Sequence, residues 1–126
     1  MNDDDKNNLL PDDGLAGTLV ARAWTPGPQG GPAVVALRPG GVFDISRAFP
    51  TMSTLLDADR PAEAAHQAPG ERLCAVDELL GNSRLGPRDA ALPFLLAPCD
   101  LQVVKAAGVT FAASMVERVI EEQAHG

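Results

Sequence analysis

Apolar and polar positions follow two rhythms along this chain, and the change between them divides it. Over residues 18–24 (Thr-Leu-Val-Ala-Arg-Ala-Trp) apolar and β-branched side chains recur at strand spacing. The run is halted by Pro26-Gly-Pro-Gln-Gly-Gly-Pro32, which offers nothing suited to a hydrogen-bonded ladder. Residues 33–38 predict a second strand and 42–45 a third, and Pro39-Gly-Gly41 between them predicts a tight hairpin turn. Beyond residue 50 the pattern becomes helical. Short helices are expected over 51–56 and 60–66, the second with Pro61 in its first turn. A further helical turn is expected over 74–80, stopped at Gly81-Asn82. Pro93 and Pro98 confine 92–96 to a short extended segment. Residues 101–107 form an apolar run that ends at Gly108, read as a buried strand with helix as the alternative. From Phe111 the 3.6-residue period is plain. Met115, Val116, Val119 and Ile120 make one face, and Ser114, Glu117, Arg118 and Glu121 the other.

These elements predict an α+β fold: a small mixed or antiparallel sheet, short helices and a C-terminal amphipathic helix. Three parts are expected. Residues 1–16 are an acidic, disordered lead-in, 17–99 a small α+β domain, and 100–126 a strand–turn–helix junction that opens a further domain. With 126 residues the chain is long enough to bury a core of its own. Aromatic residues are only 4% and Tyr is absent, so that core must be built of small aliphatic layers.

Charge and cysteine content narrow the function classes. A net charge of −7 argues against non-specific nucleic-acid binding, which needs clustered Lys and Arg. Met1 to Asn8 is polar and acidic, unlike a secretory leader, and no apolar run approaches the ~20 residues that span a bilayer. The expected location is the cytoplasm, with no membrane partner. Cys74 and Cys99 lack CxxC spacing and predict two thiols rather than a disulfide framework. His66 and His125 have no second ligand at zinc spacing. Lys105, alone in an apolar run, is read as a snorkelling strand residue, with a Schiff-base amine as the alternative. Trp24 is read as a core or domain-interface anchor.

The segment from Gly108 to Glu117 carries the candidate chemistry. Gly108 permits a sharp turn, and Thr110 suits the N-cap of the helix that follows. A helix start there presents free N–H groups to an anion such as a 2-keto acid carboxylate. Ser114 and Glu117, three apart, share a helix face and can share a water or a substrate hydroxyl. An ordinary amphipathic surface helix would show the same spacing.

Asp100 to Gln123 resembles the junction between the N-terminal and catalytic domains of bacterial members of the fumarylacetoacetate hydrolase superfamily. It is most like the branch of 2-keto-3-deoxy sugar-acid dehydratases. The likeness extends to Leu19–Ile45, with its Gly-Gly-Val-Phe-Asp-Ile-Ser, and to Pro98-x-Asp100. Many members carry Gly-x-Asn-Tyr-x-x-His-x-x-Glu here. Gly108 matches the Gly, Thr110 the Asn, Phe111 the Tyr, Ser114 the His and Glu117 the Glu.

The resemblance implies substrate-binding roles for Gly108, Thr110 and Phe111 and catalytic roles for Ser114 and Glu117. Because Ser114 replaces the family His, it points to dehydration of a 2-keto-3-deoxy sugar acid rather than His-dependent hydrolysis. Mg²⁺ is implied, held by a Glu-x-Glu pair and an Asp of the following catalytic domain, after Gly126. The chain alone is then expected to hold no metal and to be inactive. Its partners would be that catalytic domain, a small 2-keto acid and, as in other members, a second copy in a homodimer. Two alternatives stand beside this reading: hydrolysis of a carbon–carbon bond in an acylpyruvate-like substrate, and a non-enzymatic interaction domain.

Overall fold

Ala33-Val-Val-Ala-Leu37 is apolar at every position because both of its faces are covered. In the computed structural model, which describes residues 9–84, 86 and 88–108, these residues form the middle of β2 (Gly31–Arg38), and all five are buried. β2 is the central strand of a five-stranded antiparallel sheet that also contains β1 (Leu19–Thr25), β3 (Gly41–Asp44), β4 (Glu71–Cys74) and β5 (Phe94–Leu95). The order is β4-β3-β2-β1-β5. Successive side chains of a strand point to opposite faces, so β2 feeds two cores. Ala33, Val35 and Leu37 pack with Ala23, Val42, Cys74 and Leu79. Val34 and Ala36 pack with Ile45, Met52, Leu55, Ala65 and Ala68.

The β2–β3 hairpin forms as the turn residues predict, with Arg38 opposite Gly41, and β1 pairs with β2 across the 26–32 stretch, with Leu19 opposite Leu37. Three short helices are described: α1 (Met52–Leu56), α2 (Pro61–Gln67) and α3 (Val76–Asn82). Helices this short are unstable alone and are set by what they bury. α1 and α2 cover the Ile45 face, and α3 covers the Val42 face through Leu79. The side chain of Arg38 closes the end of α2, its Nη2 donating to the carbonyls of Ala65 and Ala68 at 3.0 and 2.7 Å. The result is a small α+β domain, as the sequence pattern predicts.

Four local expectations are corrected. Residues 71–73, unassigned from sequence, form β4 together with Cys74, and helix α3 therefore starts at Val76 rather than at Cys74. Gly81 does not stop that helix, which runs two residues past Leu80 and ends at Asn82, whose side-chain amide donates to the carbonyls of Asp89, Leu92 and Pro93 and folds the next loop back. Residues 9–16, assigned to a disordered lead-in, form turns, with Leu10 and Leu15 packed on the Val35 core. Residues 101–107 are neither buried nor in a strand: Leu101 and Val103 are 101% and 87% exposed. β5 takes the outer edge of β1 only at Ala23 and Trp24, and the chain that follows leaves the sheet past Asp100 without joining it.

Candidate functional site

Of the residues singled out from sequence, Gly108 is described, and it lies at the end of the exposed 101–108 segment. Thr110, Phe111, Ser114 and Glu117 lie outside the described residues, as does the amphipathic helix expected around them. Lys105 is exposed, and so is His66 on α2. Trp24 is half-buried against Phe94, ring centroids 6.2 Å apart, which makes it an anchor for β5. Among the described residues, no three His, Cys, Asp or Glu side chains come together as a metal cage. No helix among them is long and apolar enough to cross a membrane.

What the fold does build is a clamp at the root of the 101–108 segment. Arg22 is the lone charge among the apolar residues of β1, and a charge on a half-buried strand face requires partners. It finds them in the chain that follows β5. Its Nη1 donates to the carbonyls of Ala97 and Cys99 at 3.1 and 2.7 Å, and its Nε lies 3.6 Å from Asp100 Oδ1.

Asp100 in turn completes the N-terminus of α1. The first N–H groups of a helix have no partner inside it. Thr51, in extended conformation at the N-cap, accepts from the Thr54 N–H at 3.1 Å. Asp100 Oδ1 accepts from the Met52 N–H at 3.0 Å. Its Oδ2 accepts from the Ser53 N–H at 2.8 Å and the Ser53 hydroxyl at 2.6 Å. The side chains of Arg22 and Asp100 are 14% and 18% exposed, so the pair is largely shielded from water.

These bonds favour the charged carboxylate. The Ser53 hydroxyl first, then the Ser53 and Met52 N–H groups and Arg22, hold the Asp100 carboxyl below its ordinary range, against a smaller opposing effect of desolvation. The sign of the linkage follows. A carboxyl with a depressed folded value adds stability above its unfolded value, about 3.9, and loses it as pH falls through the folded value. Asp100→Asn is therefore expected to lower the thermal midpoint at neutral pH. The gap from wild type should start to narrow as pH drops below about 4 and close only once pH passes the lower folded value, where the wild-type carboxyl is itself neutralised. Parallel melts across that range check it.

A cavity of about 690 Å³ opens between residues 15–19, the end of β2 and α2; His66 lines it, but Gly108 does not. The guanidinium in its wall, Arg38, is committed to the end of α2 and to the Phe43 ring, 5.1 Å away. The clamp is what sequence reading missed, although Arg22 signalled the need for it. Compared with family models, curated proteins and solved structures, the chain matches none.

Proposed function

We propose that this chain is the N-terminal domain of an enzyme of the fumarylacetoacetate hydrolase superfamily, most like the 2-keto-3-deoxy sugar-acid dehydratases. The observation that carries the reading is the segment after the clamp. Leu101, Val103 and Val104 are apolar and 68% exposed or more, immediately beyond a carboxylate held by four contacts. Clustered large apolar side chains in water mark a surface meant to be covered. The resemblance over Asp100 to Gln123 supplies the cover, a following catalytic domain.

In that assembly Gly108, Thr110 and Phe111 line the substrate. Ser114 orients its hydroxyl or a water, and Glu117 relays a proton. Carboxylates of the following domain would hold the Mg²⁺, which would supply the polarisation of the 2-keto group that makes the C3 proton acidic. Removal of that proton and of the C4 hydroxyl, together one water, leaves a C3–C4 double bond, and tautomerisation that moves the protons of the terminal CH₂OH group to C3 and C4 gives the semialdehyde.

The test is an assay of the product of the whole reading frame on a 2-keto-3-deoxy pentonate. Mg²⁺-dependent loss of water is the expected result. Cleavage of an acylpyruvate without water loss would replace it with the hydrolase reading. Activity on neither substrate would leave a non-enzymatic interaction domain.

A further inference from the structure

We propose that Asp100 is the positioning residue of the exit segment, fixing where and in which direction residues 101–108 leave the sheet and so where Gly108 is delivered. Its relevance to catalysis rests on the function proposed above. Three observations converge on it.

First, the bonds are long-range. Asp100 is tied to Ser53 and Met52, nearly fifty positions earlier, and Arg22 reaches across more than seventy positions to Ala97 and Cys99. Second, the clamp is the last firm attachment among the described residues. Asp100 is half-buried, and every residue from Leu101 to Gly108 is exposed. Among the described residues the one side-chain bond beyond it is a 3.3 Å contact from the Ser53 hydroxyl to Gln102, made by the same serine. Third, the parts are rigid. Arg22 sits on a strand paired on both sides, and Met52 anchors α1 in the core at 5% exposure.

Positioning matters because the path to Gly108 is short. About eight residues at no more than ~3.6 Å each bound how far Gly108 can lie from Asp100, so the root of the segment sets the reach of its tip. Without the carboxylate, Arg22 still holds the Ala97 and Cys99 carbonyls, but its ion pair and the tie to α1 are lost, so the segment hangs on β1 alone instead of on β1 and α1. A misplacement of about 1 Å at a reacting group can cost ~100-fold in rate.

The experiment has two arms. In the chain itself, backbone ¹⁵N relaxation is compared between wild type and Asp100→Asn, with Ser53→Ala as a milder lesion that spares both N–H bonds. Residues 97–102 are expected to gain fast motion in the order wild type, Ser53→Ala, Asp100→Asn, while the amide signals of β1 to β4 stay native-like. Unchanged relaxation in a folded Asp100→Asn overturns the proposal. If that variant fails to fold, Ser53→Ala decides in its place.

In the product of the whole reading frame, Asp100→Asn is expected to lower kcat for water loss about 10–100-fold with the KM for substrate little changed. A mobile segment with unchanged kcat would make Asp100 a fold anchor only and also overturns the positioning role. A wild-type protein that removes no water sinks the functional reading alone, and the relaxation arm then decides whether Asp100 places the segment.

Discussion

Leu79→Ala is expected to destabilise the domain by about 2–5 kcal/mol. Leu79 is 0% exposed on α3 and packs with Ala23, Val35, Leu37, Val42 and Cys74 on one face of the sheet. Nothing nearby can refill the space it leaves. Its neighbours are short aliphatic side chains in paired strands, and a core without large flexible residues relaxes poorly around a void. Natural domains are stable by only about 5–15 kcal/mol, so this one change removes a large share of the total. Leu56→Ala, on a residue 59% exposed, should stay within about 0.5 kcal/mol of wild type. Urea titrations of both variants, with m unchanged, provide the check.

Gly41→Ala should cost about 1–3 kcal/mol or more. Gly41 ends the β2–β3 hairpin with φ at +137°, a conformation that residues with a Cβ rarely adopt. A Cβ here would also sit 2.8 Å from the Cys74 carbonyl oxygen in β4 and 2.7 Å from Arg72 Nε. The carbonyl is ladder backbone and cannot swing aside. Moving Arg72 would break its 2.9 Å bond to the Gly40 carbonyl. Two independent penalties therefore fall on one methyl group. Gly40→Ala is the control. Its added Cβ would meet nothing nearer than the Phe43 ring at 3.7 Å, and its φ lies outside the left-handed region. It should be close to neutral. If Gly40→Ala is the more damaging of the two in urea, the hairpin geometry described above is wrong.

The parts of the fold legible in sequence are those whose cause is local. The hairpin around Pro39-Gly-Gly41 follows from turn chemistry, and β2 follows from an unbroken apolar run that only a strand covered on both faces explains. β4 escaped because Glu71-Arg-Leu-Cys74 is short, and two of its residues are charged, as suits an exposed edge. Its strand state comes from pairing with β3, where the register slips at Val42/Phe43, and no local pattern encodes that. At residues 101–107 the pattern was read and the outcome differs. The run has the composition of a buried strand, but it joins none of the five strands and stays exposed.

The clamp was half legible. Arg22 within β1 demanded an acceptor, but its partners at Ala97, Cys99 and Asp100 depend on β5 returning alongside β1. Only the tertiary path reveals that return. Ser114 and Glu117, the most pointed reading of the sequence, belong to residues outside those described.

Amide hydrogen exchange at residues 101–108, in this chain and in the product of the whole reading frame, bears most directly on whether a second domain shelters this strip. Rapid exchange in the chain and strong protection in the longer protein are expected, since a covered strand gains ladder partners that an exposed one lacks. Equally rapid exchange in both, or a reading frame that closes at Gly126, would contradict the account.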